Sequence, residues 1–151
     1  MSQTQDLDLS GMDGLQQLEA IFDGRLPPPP ISETIGMEGF RAERGAVSVE
    51  LVPLPRHYNP IGSVHGGVIS TLLDTATGCA VHSTLAAGEL YTSLDLTVKF
   101  LRPVTLESGR LRAEGVVIQR GRRTALAQAQ LFDAGERLVA HATSTCMIFP
   151  A

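Results

Sequence analysis

The chain has 151 residues, 43% of them hydrophobic and 19% charged, with a formal net charge of −4 at pH 7. That length holds one domain with its own core. The acidic balance, few aromatics and lack of Trp argue against nucleic acid as the main partner. The two cysteines, Cys79 and Cys146, lack metal-ligand spacing and read as free thiols of a reducing compartment. With no secretory signal and no run apolar enough to span a bilayer, the expected location is cytoplasmic, away from membranes.

Residues 1–12 are polar and acidic and are expected to be a disordered leader. Asp13 can cap a short helix running to about Asp23, with Leu15, Leu18, Ile21 and Phe22 on one stripe. Gly24 ends it, and Pro27 to Pro30 read as a stiff polyproline spacer, so 13–30 is a helix plus connector. A proline-rich ligand for a partner domain is the alternative. The folded domain is then 31–151. A weakly patterned strand covers 31–43, and Arg44-Gly45 is a turn. Val47, Val49 and Leu51 alternate with polar residues as a half-buried strand, ended by Pro53 and Pro55. A loop over 54–64 leads to a long helix from 65 to about 85, closed by Gly88.

Four more strands follow. In the first, Leu94, Leu96, Val98 and Phe100 face one way and Ser93, Asp95, Thr97 and Lys99 the other, with Pro103 as the stop. The second runs from about Gly109 to Gln119, Gly121 makes a turn, and the third covers 123–132. Asp133-Ala-Gly135-Glu is a hairpin turn before the fourth, 137–149. Six strands and one long helix make an α+β chain, and consecutive antiparallel strands exclude a βαβ nucleotide fold. The long helix is apolar nearly all round, with Val68, Leu72, Ala76 and Ala80 on one face and Ile69 and Leu73 beside them. Such a helix is buried, and a long antiparallel sheet curled around it would bury it.

Between His57 and Gly88 the one charged residue is Asp74. A carboxylate in such surroundings either does chemistry or has a dedicated partner. Gly66 and Gly67 mark the helix start, where backbone N–H groups are unpaired and can stabilise an oxyanion. Gly66 and Asp74 are eight residues apart, roughly 12 Å along a helix. They cannot serve one carbonyl from the same chain. Two such helices antiparallel about a two-fold axis can pair Gly66 of one chain with Asp74 of the other, giving two sites per dimer. Asp74 would be a general base on water or a direct nucleophile, with a thioester as a fitting target. The bland alternative is a carboxylate satisfied by Ser or Thr hydroxyls. His65 either orients Asn59 or the Gly66 peptide, or only starts the helix. His57, His82 and His141 read as ordinary residues. No metal motif, GxSxG, P-loop or GxGxxG occurs, so no metal and no cofactor is expected. Arg120-Gly121-Arg122-Arg123 is either a solvated loop or a phosphate clamp, to which Arg102 can add.

Asn59, His65-Gly66-Gly67, Asp74, then Ser93-x-Asp95 and Phe100-x-Arg102-Pro103-Val104, resemble the hotdog-fold acyl-CoA thioesterases of the phenylacetate-degradation (PaaI-like) group, over about residues 35–149. The resemblance implies a six-stranded antiparallel sheet wrapped around a helix, dimers often paired into tetramers, and hydrolysis of an acyl-CoA to the free acid and CoA. By position it implies Asp74 as the catalytic carboxylate and Gly66 as the polarising amide. Asn59 and His65 would support the thioester site, and Ser93 would hold the attacking water. Gly67 and Asp95 would add to the binding surface. Phe100 to Thr105, with Arg102, and Arg120 to Thr124 would lie along the CoA path. Some relatives carry Glu where this chain has Asp74. Some place a hydroxyl one turn after the acid, where this chain has Gly78 beside Thr77. The competing readings are a non-catalytic acyl-CoA-binding protein and a dehydratase or hydratase of the same fold.

Overall fold

The computed structural model describes Leu9 and residues 11–151, so most of the expected disordered leader lies outside the described residues. Helix α1, Gly14–Phe22, starts at Asp13, whose carboxylate accepts the Gln16 N–H while the Gln16 side chain accepts the Asp13 N–H. This reciprocal cap is why the helix begins there. Gly14 is pressed so close to the long helix that a Cβ on it would run into the His82 carbonyl.

A second helix, α2, spans Pro30–Ile35 and ends at Gly36 in the left-handed region (φ 88°). This corrects the expected spacer and the strand from residue 31. Proline is barred from a helix interior but suits its first position, where the N–H has no partner anyway. Strand β1, Met37–Glu43, then pairs with β2, Ala46–Leu51, across the Arg44-Gly45 turn. The long helix α3 is Gly66–His82, shorter at its C-terminal end than expected. After it come β3, Glu89–Ser93; β4, Thr97–Phe100; β5, Leu111–Arg120; β6, Thr124–Phe132; and β7, Leu138–Pro150.

The sheet is antiparallel in the order β1-β2-β5-β6-β7-β3, with β4 also on β7. β3 pairs with the last part of β7 and β4 with its middle, so seven segments fill six strand positions. The single strand expected over 93–100 is therefore a broken edge strand that begins earlier, at Glu89. At the break Asp95 substitutes for the ladder: its carboxylate accepts the Thr145 N–H (2.7 Å) and its carbonyl accepts the Ser144 hydroxyl (2.8 Å).

The sheet curls around α3, which packs on β2, β5, β6 and β7. Leu72, Leu73, Ala76, Ala80 and Val81 are fully buried there with Val49, Leu51, Leu111 and Leu131. The tightest crossing is at Gly115 of β5, where a Cβ would collide with the Ala76 carbonyl of α3. Glycine there lets sheet and helix backbones touch. One side of α3 is left out of this wrap. Gly67 and Asp74 on that side are exposed, which corrects the expectation of a helix buried all round.

Candidate active site

The N-terminus of α3 is held from both sides. The His65 N–H donates to the His57 carbonyl (2.8 Å), and the Val64 N–H to the Val104 carbonyl (2.7 Å). His57 is itself buried, with Nε2 at 2.6 Å from the Ile35 carbonyl and Nδ1 accepting the Leu54 N–H, so it is structural. Asn59 shapes the preceding loop: its side-chain oxygen accepts the Ile61 and Ser63 N–H groups (both 3.1 Å). His65 caps the helix, its Nδ1 accepting the Gly67 N–H at 2.8 Å. Gly67 is thereby used up. The Gly66 N–H has no acceptor among the described residues and stands at the positive end of the helix dipole. A Cβ on Gly66 would lie 3.1 Å from Cζ of the Phe100 ring. Gly66, Asn59, Phe100 and Arg102 share one cavity of ≈ 350 Å³.

Asp74 lies two turns further along and opens into a different cavity of ≈ 940 Å³, shared with Ser93, Tyr91, Cys79 and His82. The Asp74 carboxylate has no hydrogen-bond or ion-pair partner among the described residues. The bland reading of a satisfied carboxylate therefore fails. The side chain is exposed, yet the apolar walls beside it desolvate it and raise its pKa above 3.8. Thr77, the nearest hydroxyl in sequence, turns back on the helix and donates to the Leu73 carbonyl at 3.0 Å. Cys79, one turn beyond the acid, has its thiol pushed up to about 12 by burial and by the Asp74 charge, so it is neutral at pH 7 and cannot attack as a thiolate.

Two contributors to this cavity are not evident from sequence motifs. Tyr91 places its Oη 2.9 Å from where a Gly78 Cβ would be, covering the place where a hydroxyl residue one turn after the acid would project. It is two residues from Ser93 on one strand face, a signal visible only if the strand begins at Glu89. The other contributor is the N-terminal segment: Leu18, Phe22, Ile31 and Met37 from α1, α2 and the start of β1 form an apolar wall. His82, read as ordinary, lines the cavity too. It makes a 2.8 Å hydrogen bond with Gln17 of α1, and burial lowers its pKa.

The basic cluster divides. Arg120 is committed within the fold: Nη2 meets Glu89 at 2.7 Å, Nε donates to the Thr84 hydroxyl, and Nη1 reaches the Gly121 carbonyl. Gly121 closes the turn through its N–H to Thr124. Arg122 and Arg123 are exposed, have no carboxylate partner among the described residues, and flank a cavity of ≈ 660 Å³. Within one chain the acid, the free amide and the free arginines occupy three separate places.

The sequence profile of the Thioesterase superfamily matches residues 61–140, just over half of the chain. A solved structure of a putative thioesterase from Ralstonia eutropha JMP134, described as phenylacetic acid degradation-related, is 33% identical. Its match covers 85% of this chain and 97% of that one, with a TM-score of 0.77. The PaaI protein of Escherichia coli superposes with a TM-score of 0.78 at 21% identity, covering 94% of this chain and 97% of that one, which bears on the fold alone. A medium/long-chain acyl-CoA thioesterase, YigI of Escherichia coli K12, is 29% identical over 134 residues, 79% of this chain and 85% of its own length.

Proposed function

The chain belongs to the thioesterase superfamily, and on that premise we propose that it hydrolyses acyl-CoA thioesters, with Asp74 as the catalytic carboxylate. The observation that carries this is an unpartnered Asp74 with a raised pKa at the wall of a large apolar cavity. Such a carboxylate is a stronger base and nucleophile than one in water. The relatives named for acyl-CoA substrates support the substrate class.

The acid and the free amide face different cavities of one chain, which supports a site built across two subunits. The broken β3–β4 edge, with Leu94, Phe100 and Leu101 exposed, offers an apolar, unpaired strand rim for self-association. In the dimer, Gly66 of the partner chain donates to the thioester oxygen. Water attacks the carbonyl carbon as Asp74 takes its proton; the tetrahedral oxyanion collapses, the C–S bond breaks, and the CoA thiolate takes the proton back from Asp74. In the direct alternative Asp74 attacks the carbonyl carbon, the C–S bond breaks and CoA leaves as thiolate; water then opens the anhydride, returning the Asp74 carboxylate and the free acid and supplying the proton of the thiol. Ser93, in the same cavity, is the hydroxyl suited to hold that water. Arg122, Arg123 and Arg102 suit the phosphates of CoA, while Asp95 and Arg120 support them by bracing strands. CoA is part of the substrate, and no cofactor is required. Free Cys79 and Cys146 suit the cytoplasm.

The test is release of free thiol from a panel of aryl and alkyl acyl-CoAs. Wild type should turn over at least one, and Asp74→Ala should lose on the order of a hundredfold or more in kcat, as expected for removal of a general base or nucleophile. A wild type inert on the whole panel would overturn the activity; an undiminished Asp74→Ala would overturn the assignment of the acid.

A further inference from the structure

Gly78 is buried in the body of α3, where glycine weakens a helix relative to alanine. The room it leaves is used by Tyr91 of β3. A Cβ on Gly78 would stand 2.9 Å from the Tyr91 Oη, closer than side-chain atoms pack, while the nearest ring carbons would lie at 3.5 and 3.6 Å, in ordinary contact. The missing methyl group therefore makes room for the hydroxyl rather than for the ring. His82 meets that ring edge-on, with centroids 5.6 Å apart. Asp74 is four residues before Gly78, so the two positions share one helix face, with Cβ positions about 5–6 Å apart. The Tyr91 Oη is thus set one turn from the acid, and both residues line the ≈ 940 Å³ cavity.

A tyrosine hydroxyl brought in among apolar groups usually finds a partner. This one bonds to no described residue. Unlike the Ser32 hydroxyl, which is closed off without a partner, it is open to the cavity that Tyr91 lines. Burial above all, with Cys79, Cys146 and Asp74 nearby, pushes its pKa above the ordinary tyrosine value. At pH 7 it keeps its proton and is a donor without an acceptor. Ser93, two residues on along the same strand face, lines the cavity too. Its Oγ lies 3.8 Å from the Cys146 Sγ, toward which its own hydrogen can turn.

We propose that Tyr91 is a catalytic residue, its Oη–H donating a hydrogen bond that holds the attacking water against Asp74. The inference rests on the thioesterase reading above, with Asp74 as general base. A water molecule offers two hydrogens and two lone pairs. One hydrogen goes to the Asp74 carboxylate and the other to the Ser93 Oγ, while Tyr91 donates to one lone pair. The remaining lone pair is left for the carbonyl carbon, so the water is fixed in the orientation in which it attacks. As the C–O bond forms, Asp74 takes the proton, and Tyr91 keeps its own throughout.

The experiment is steady-state kinetics and thermal melting of wild type, Tyr91→Phe, Gly78→Ala and the double variant on the acyl-CoA that wild type turns over best. Tyr91→Phe keeps the ring and removes only the hydroxyl. It should lower kcat about tenfold or more, the scale of a misplaced reacting group, with KM unchanged and melting at or above the wild-type temperature. Gly78→Ala displaces the Oη and should lower kcat as well. In the double variant the methyl group meets only ring carbons, so kcat should fall no further than in Tyr91→Phe alone. A kcat within about threefold of wild type in Tyr91→Phe, or a loss confined to KM, overturns the proposal. So do losses that multiply in the double variant, or a lower melting temperature in Tyr91→Phe, which would give the hydroxyl a partner within the fold. A wild type that cleaves no acyl-CoA overturns the thioesterase reading and this role with it, whereas an active wild type matched by Tyr91→Phe overturns this role alone.

Discussion

Asp74 carries a charge that its surroundings disfavour. Desolvation raises its folded pKa above 3.8, so the native state holds the proton more tightly than the unfolded chain. The stability it contributes is fully present below the unfolded value and is lost as pH rises through the folded value. At pH 7 the ionised side chain therefore works against the fold. Asp74→Asn should raise the melting temperature at pH 7 while abolishing most turnover, and the stability difference should shrink as pH is lowered through the window above 3.8. In wild type, kcat/KM should fall with acid through the same window, because the carboxylate must be ionised to act. Calorimetry and a pH–rate profile check the two halves. The arginines separate likewise: Arg122→Ala should raise KM several-fold for acyl-CoA but not for a truncated thioester lacking the nucleotide. Arg120→Ala, which loses the Glu89 pair, should lower the melting temperature first.

At the scale of elements, the crossing of β5 over α3 is tightly constrained. Gly115→Ala puts a methyl group into the Ala76 carbonyl, so helix and sheet must separate. The expected loss is about 2–4 kcal/mol, in the range of overpacked or strained cores, measured by denaturant unfolding. Leu72→Ala, at a fully buried position, should lose a similar amount through a cavity. The sequence made the long helix, its glycine start, the β1–β2 turn and the last three strands legible, because each has a strong period and clear turn chemistry. It misled where one residue type supports two structures. Four prolines read as a spacer, yet Pro30 opens α2, since the difference lies in which side of the ring the helix continues. The interrupted edge read as one strand, because alternation over 93–100 continues through a break that Asp95 bridges with its side chain. The candidate site was legible only as residue types, Gly66 and Asp74 among them on one helix. The cavity was not: Tyr91, His82 and the α1–α2 wall meet Asp74 through tertiary packing, which no local pattern encodes.

At the scale of the whole molecule, a two-chain site predicts complementation. Gly66→Pro removes the free N–H at a position where helices accept proline, and His65 is already extended (φ −59°, ψ 135°) as a residue before proline must be. If the ring displaces Phe100, Phe100→Leu in the same chain makes room. Asp74→Asn and Gly66→Pro should each be nearly inactive alone. Mixed and allowed to exchange subunits, they should recover up to about a quarter of wild-type activity, since half the dimers are mixed and each holds one intact site. No recovery on exchange would place the acid and amide in one chain. The mooring of α1 has a further consequence. Its Gly14 N–H bonds the Leu85 carbonyl (2.9 Å) and Gln17 grips His82, so the chain before β1 is fastened to the far end of α3 and forms one side of the Asp74 cavity. On the proposed reading, the reacting groups and the wall that faces them come from different stretches of the gene. A crossover upstream of residue 37 could give this hydrolase a new repertoire of acids while leaving its reacting groups untouched.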